Sequence, residues 1–399
     1  MTRVKQELSW ISEEARKCFY CVDAPCVKEC PASIDIPQFI RNLKFGNINK
    51  AKSIIKEANC LGGTCGYLCP SENLCESKCV RAKSGQSVQI RELQRYVCDN
   101  GKYIEPEVSE FNGKRVAVVG SGPSGISCAY ELSLSGCKVD IFEKADTAGG
   151  TVRHEIPSFR IPESCINRDY KELSNLNISY KYGINVTSDM IRDKLCKEYD
   201  AVFLSIGLTV ERDTHIDFKP SRRIFYASDF LKSAKEGNLK LEGTVLVFGG
   251  GDTAMDAARY ALKIGASASE VVYRRSRNEM PAGEEQIIAG IKDGIGFMYL
   301  TSCLSIEEDK KLTIELVKNE LTSVEGSDKK TFKAIEGSNF TLEADYAVFA
   351  FGKKADAAFL AEDNSKIFIG GDFKNGGATI VEGVKEGKEA AAKILEYLK

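Results

Sequence analysis

Val118-Val119-Gly120-Ser121-Gly122-Pro123-Ser124-Gly125 is the stretch whose chemistry decides the fold. Val116–Val119 before it reads as a buried strand and Ser124–Leu134 after it as a helix. Bare backbone at Gly120 and Gly122 lets a pyrophosphate approach, and the helix N-terminus then stabilises its charge. A second strand is expected over Val139–Phe142, and Glu143 closes it 18 residues after Gly125. A carboxylate at that point accepts hydrogen bonds from a ribose and repels a 2′-phosphate. The glycine pattern alone is a weak signal, but strand, helix and acid in this order make it specific for a dinucleotide.

A similar unit recurs about 129 residues later: Val245–Phe248, then Thr253–Ile264, then Val271–Tyr273. Two βαβ units imply two nucleotide-binding domains, each on a parallel sheet. The second loop is Phe248-Gly249-Gly250-Gly251-Asp252-Thr253, and its second strand ends in Tyr273-Arg274-Arg275 instead of an acid. Guanidinium pairs with a 2′-phosphate through two hydrogen bonds, so Arg274 and Arg275, assisted by Arg277, favour NADPH over NADH. In the first unit, Gly149-Gly150 follows soon after the acid. Near the C-terminus, Gly370-Gly371-Asp372 and Gly377-Ala378-Thr379 lead into an amphipathic helix over Ile380–Leu398. That layout is common to FAD-binding reductases. It assigns FAD to Gly120, Gly122, Pro123, Ser124, Gly125, Glu143, Lys144, Gly149, Gly150, Gly371, Asp372, Ala378 and Thr379. Thr301–Leu342 alternates and is rich in Lys, Glu and Thr, which suits antiparallel strands flanking the second domain. Asp345–Gly352 and Ile367–Asp372 are expected as short strands that return the chain to the first domain.

The composition is that of a globular protein of two or three domains, with 43% hydrophobic and 28% charged residues in 399. A formal charge of −2 offers no general attraction to nucleic acid or anionic membrane. The first residues lack the apolar core of a signal peptide, and no run of 18 apolar residues follows, so a cytoplasmic location is expected. His154 and His215 are the only histidines, which starves any histidine-based metal site or hydrolase mechanism.

Ten of the 15 cysteines fall within the first 98 residues, a region that reads as short helices such as Ile36–Phe45 and Lys50–Ala58. Clustered thiols without an export signal point to metal rather than to disulfides. The first set is Cys18-x2-Cys21-x4-Cys26-x3-Cys30-Pro31; the second is Cys65-x3-Cys69-Pro70 with Cys75-x3-Cys79. Structural zinc favours paired C-x2-C knuckles, of which there is one here. Both runs carry the Cys-Pro ending of ferredoxin ligand runs, so two iron–sulfur clusters are the better reading. A disulfide reductase shares the two-nucleotide layout, but no close cysteine pair follows residue 110.

The run R-K-C-F-Y-C-V-D-A-P-C-V-K-E-C-P at 16–31 and the run C-G-Y-L-C-P-S-E-N-L-C-E-S-K-C at 65–79 resemble the N-terminal module of dihydropyrimidine dehydrogenase. They are similar also to the small subunit of bacterial glutamate synthase. With the nucleotide loops included, the resemblance covers nearly the whole chain. It implies that Cys18, Cys21, Cys26 and Cys79 hold one [4Fe–4S] cluster, and that Cys30, Cys69, Cys75 and Gln94 hold a second. It adds Arg160 and Val186 to the FAD site, and it sets Ala350, Phe351 and Gly352 beside the nicotinamide nucleotide.

The expected fold is α/β: an N-terminal α-helical iron–sulfur domain, then two Rossmann-like nucleotide-binding domains. The ranges are 1–110 for the clusters, 111–236 and 336–399 for a discontinuous FAD domain, and 237–335 for an inserted NAD(P)H domain. The expected function is an electron-input subunit that needs no acid–base side chain, since the cofactors carry the chemistry. Because the chain ends soon after the closing helix, a separate catalytic subunit with FMN and further clusters is expected. The dihydropyrimidine dehydrogenase branch is favoured by Gln94. A glutamate synthase small subunit, a free-standing NAD(P)H:acceptor reductase and a redox sensor are the alternatives.

Overall fold

The computed structural model describes residues 3–324, 327–359 and 364–399. The chain divides into two compact units, residues 1–153 with 158–209 and 354–399, and residues 154–157 with 210–353.

The first unit begins with six helices, Arg3–Arg16, Pro25–Glu29, Ile36–Lys44, Ile48–Ala58, Gly62–Leu68 and Ile90–Asn100, joined by cysteine-bearing loops. Ile36–Lys44 shows why they form. Asp35 caps it by accepting from the Gln38 N–H at 3.1 Å, Pro37 sits in its first turn, and Ile36, Phe39, Ile40 and Leu43 share the buried face. A parallel sheet follows, in the order Ile367–Ile369, Ala201–Leu204, Arg115–Val119, Lys138–Phe142, Ile178–Lys181. Both faces of Arg115–Val119 are covered. Val116 and Val118 lie in the core shared with the N-terminal helices, and Ala117 and Val119 lie in a second core with Val186 and Phe373.

The helices Pro123–Leu134 and Ile380–Tyr397 cross closely because the latter offers glycine at the contact. A Cβ on Gly387 would stand 2.3 Å from the Ser124 carbonyl oxygen. Ser127 Oγ donates to the Val384 carbonyl at 2.9 Å in the same crossing. Thr379 and Glu382 form a capping box that starts the long helix.

Buried ions bind the N-terminal helices to this sheet domain. Lys56, with a side chain 3% exposed, lies 2.9 Å from Asp169 and 2.8 Å from Glu172. Lys52 meets the other Glu172 oxygen at 2.6 Å. Asp169 also accepts from the Thr64 backbone N–H at 2.7 Å and its hydroxyl at 2.8 Å.

The second unit holds another parallel sheet, ordered Gly296–Tyr299, Ala268–Tyr273, Thr244–Phe248, Tyr346–Phe349, Ile224–Tyr226. Beside it lies a mainly antiparallel sheet of Thr301–Glu308, Leu312–Val324, Ser327–Ala334 and Phe340–Ala344, joined in parallel by Asp217–Phe218. These are the strands expected over Thr301–Leu342.

The divisions differ from the sequence reading, which set them after 236 and after 335. Tyr346–Phe349 pairs with Thr244–Phe248 and does not return to the first sheet. Ile224–Tyr226 pairs with Tyr346–Phe349, which draws the segment from 210 onward into the second unit as well. The physical reason is that a short apolar strand carries no local sign of its partner. Ile367–Ile369 does pair in the first sheet, through Ala201–Leu204.

Candidate functional site

Parallel strands deliver their following loops to one edge of a sheet. In the first unit that edge gathers Gly120–Gly125, Glu143, Ser205–Gly207 and Gly370–Asp372. Gly120 takes φ +98°, and a Cβ there would meet the Ser205 carbonyl oxygen at 2.5 Å. Gly122 begins the 12-residue helix Pro123–Leu134, and a Cβ on it would find nothing within 4 Å. The loop is therefore packed on one side and open on the other. Gly371 and Gly150 close in on Ser124 and Gly122 respectively. Ser124 Oγ is buried with no hydrogen-bond partner. An orphaned hydroxyl and open backbone at a helix N-terminus suit a pyrophosphate.

Glu143 is buried, and its carboxylate is engaged by the loop. One oxygen accepts from the Ser121 N–H at 3.0 Å and the Ser121 hydroxyl at 2.6 Å; the other accepts from the Ala145 N–H at 2.9 Å. The Gly149 N–H donates to Ser121 Oγ at 3.2 Å, and Tyr170 donates to the Ser121 carbonyl at 2.9 Å. Ser121 is thus the hub of the loop, a role that the glycine spacing does not announce. Asp372 accepts from the Ala378 N–H at 3.1 Å, and burial pushes its carboxyl up. Lys144 is exposed beside Glu143, Arg160 is half-buried, and Val186 packs into the core with Phe142.

In the second unit, Gly249–Gly251 and Ala350–Gly352 follow adjacent parallel strands, so they sit side by side. The Tyr273 ring lies against Gly250, and its hydroxyl donates to the Glu279 carbonyl at 2.6 Å. The Ala282 N–H donates to the Gly250 carbonyl at 3.0 Å, and the Gly283 N–H to Asp252 at 2.9 Å. This closing segment was not legible from the sequence, where Pro281-Ala282-Gly283 shows only a turn. Thr253 is in the first turn of the helix Asp252–Lys263.

The three arginines separate in role. Arg274 lies 4.9 Å over the Phe332 ring, and Arg277 pairs with Glu284 at 2.6 Å. Arg275 stacks 5.6 Å over Tyr273, the residue against Gly250, and its buried Nε has no partner. Phe351 stacks on Phe349 with ring centroids 5.7 Å apart.

Cysteines from the two runs meet in the first unit. Cys18, Cys21 and Cys26 line one cavity together with Cys79, although Cys79 is 53 residues from Cys26 in the chain. Burial raises the Cys18 thiol, and it pushes Cys26 up to about 11, with help from neighbouring thiols. Cys69 and Cys75 are raised more strongly by burial, and Cys30 adds to both. Gln94 is 7% exposed, and its amide donates to the Gly62 carbonyl at 2.7 Å. It lies on the helix Ile90–Asn100, which packs against Gly62–Leu68 so tightly that a Cβ on Gly66 would meet Arg95 Cα at 2.8 Å. Arg91 reaches the Cys69 carbonyl at 3.2 Å from the same helix.

No group of three or more His, Cys, Asp or Glu among the described residues converges as a single metal ion needs. Cys18, Cys21, Cys26 and Cys79 share the lining of one cavity. All 15 cysteines are free thiols. Cys60, Cys65 and Cys98 are buried in the core, as packing residues would be. Among the described residues, no helix is long and apolar enough to cross a membrane.

Residues 2–105 match the family described as dihydropyrimidine dehydrogenase domain II, 4Fe-4S cluster, and residues 114–384 match pyridine nucleotide-disulphide oxidoreductase. The chain is 30% identical to the NAD-dependent dihydropyrimidine dehydrogenase subunit PreT homolog of Salmonella typhi, over 97% of this chain and 94% of that one. It is 28% identical to the glutamate synthase [NADPH] small chain of Halomonas elongata, over 96% and 90%. Among solved structures it is similar to a variant of FprA from Mycobacterium tuberculosis, with a TM-score of 0.61 and 20% identity over 71% of this chain and 84% of that one. That last likeness speaks to the fold alone. The chain belongs to the NAD(P)H-dependent flavin and iron–sulfur oxidoreductases, in which a dihydropyrimidine dehydrogenase-type 4Fe-4S module precedes a pyridine nucleotide-disulphide oxidoreductase fold.

Proposed function

We propose that this chain oxidises NADPH and passes the electrons through two [4Fe–4S] clusters to a separate catalytic subunit that reduces uracil and thymine. The observation that carries the reading is the meeting of Cys79 with Cys18, Cys21 and Cys26 around one cavity. Only interleaved ligand sets require the second cysteine run to reach back to the first. Bound FAD supplies the step from hydride to single electrons.

The chain's own residues bind and orient. Gly120, Gly122 and the Pro123–Leu134 N-terminus would take the FAD pyrophosphate, with Ser124 Oγ as an added donor. Glu143 holds the loop through Ser121 and presents its remaining acceptor capacity to a ribose. Arg275, whose guanidinium lies over the Tyr273 ring packed against Gly250, would select the 2′-phosphate of NADPH. Cys30, Cys69, Cys75 and Gln94 would hold the inner cluster, on elements that the Thr64–Asp169 contacts fix to the flavin-binding sheet domain. Cys18, Cys21, Cys26 and Cys79, none fully buried, would hold the outer one.

The test is co-purification with an FMN-containing chain and an assay of each alone and together. The proposal expects uracil reduction only from the pair, and NADPH oxidation with ferricyanide from this chain alone. Glutamate formation with a large amidotransferase chain would assign it to the other branch. Zinc without acid-labile sulfide in the purified protein would sink the cluster reading.

A further inference from the structure

The cavity lined by Cys18, Cys21, Cys26 and Cys79 opens beneath an apolar patch that no part of the described chain covers. Phe19 is 62% exposed, Val80 is 42% exposed, and Val22, next to Cys21, is fully exposed. Phe19 and Val80 line the same cavity as the four thiols. Large side chains left in water at a single place mark a contact surface more often than chance exposure does. The rim is basic. Arg81 stacks 5.1 Å over Phe19, and Lys44 lies 5.3 Å over Tyr20. Lys78 and Lys83 are exposed on the Cys79 segment, where Glu76, half-buried, accepts from the Arg91 N–H at 2.9 Å. Lys28 is also exposed, beside Asp23. On residues 16–31 and 71–83 the bases Arg16, Lys17, Lys28, Lys78, Arg81 and Lys83 outnumber the acids Asp23, Glu29, Glu72 and Glu76, a local excess of positive charge in a chain whose formal charge is −2.

We infer that this patch is the docking face for the electron-accepting partner, and that the partner presents an apolar contact ringed by carboxylates. The inference rests on the proposed electron-input role and adds where, and to what chemistry, electrons leave. Apolar contact at the centre excludes water and holds the partner close to the outer thiols, while the basic rim orients an acidic partner on approach. One electron passes per encounter from the reduced outer cluster to the partner's oxidised centre, with no bond made or broken.

The experiment uses the full-length holoprotein with an acidic plant-type ferredoxin as a surrogate partner and basic cytochrome c as the counter-probe. Binding is measured by titration at low and at raised salt. The ferredoxin should bind at low salt and weaken as salt is raised, and carbodiimide cross-links should fall on Lys28, Lys78 or Lys83. Val22→Ser combined with Lys28→Glu and Lys83→Glu should weaken binding about tenfold or more. The iron content and the NADPH–ferricyanide rate of that variant should equal those of the parent. Cross-links elsewhere, equal binding of cytochrome c, or undiminished binding by the variant would overturn the docking face. In those outcomes an intact ferricyanide rate would leave the electron-input reading standing, whereas loss of NADPH oxidation by the parent would remove that reading itself.

Discussion

Under the proposed function, Arg275 would be the position where one side chain separates two cofactors. The other two nearby arginines are otherwise occupied, Arg274 on Phe332 and Arg277 on Glu284, while its own buried Nε is unpartnered. Arg275→Ala should raise KM for NADPH about tenfold or more and leave KM for NADH nearly unchanged, since a charge-assisted contact to phosphate is worth roughly 1.5–3 kcal/mol. Equal effects on both nucleotides, read from steady-state kinetics, would move the phosphate contact elsewhere. Cys79 tests the interleaving. Cys79→Ser should remove about four of eight irons per chain and leave the second cluster's signal in the paramagnetic spectrum. Neither role follows from spacing alone. The arginines were visible, but which one is available depends on ring contacts made by Phe332 and Tyr273. The thiols were visible too, but the cavity joins segments more than 50 residues apart.

The helix Ile380–Tyr397 shows how the packing of an element positions a neighbouring loop. It approaches Pro123–Leu134 at Gly383 and Gly387, next to the residues of the first glycine loop. Gly387→Val would drive a side chain into the Ser124 carbonyl and should cost about 1–3 kcal/mol, together with weaker FAD retention on gel filtration. Wild-type melting and flavin content in that variant would mean that the crossing can relax. Thr379→Ala removes one half of the capping box and should lower stability by about 1 kcal/mol. At this level the sequence was legible to within a residue or two: the observed Arg115–Val119, Lys138–Phe142 and Asp252–Lys263 match strands and a helix read from periodicity. Tyr346–Phe349 was legible as a strand and illegible as to sheet, because four apolar residues fit either core equally well.

The buried ions of the first unit join its two halves. Lys56 touches Asp169 and Glu172 from the sheet domain, the Cys60 carbonyl from its own loop, and faces Cys98 and the Tyr103 ring. Its ammonium is held above the ordinary lysine range by those carboxylates, against the burial that would lower it. A raised folded-state value means that the stabilisation is complete below the unfolded value and is lost only as pH climbs through the folded one. Lys56→Met leaves Asp169 buried without a cation, while Lys52 still pairs with Glu172, and should cost about 3–5 kcal/mol. The gap between wild-type and variant in chemical unfolding should stay constant from about pH 7 to about pH 10 and narrow above it. A gap that closes below neutral pH would assign the stabilisation to another group. None of these partners could be paired from the sequence, since Lys56 and Asp169 are 113 residues apart and each reads as an ordinary solvated helix charge.

Local chemistry was enough for two nucleotide loops, a cysteine-ligand module and the family they belong to, because glycine turns, helix starts and Cys-Pro runs are set by neighbours in the chain. Long-range packing was needed to seat Cys79 beside Cys18, to hand Tyr346–Phe349 to the second sheet, to make Ser121 the hub of the first loop, and to bury Lys56 between carboxylates. Those outcomes depend on which surfaces exclude water together, and burial of that kind is a property of the assembled core.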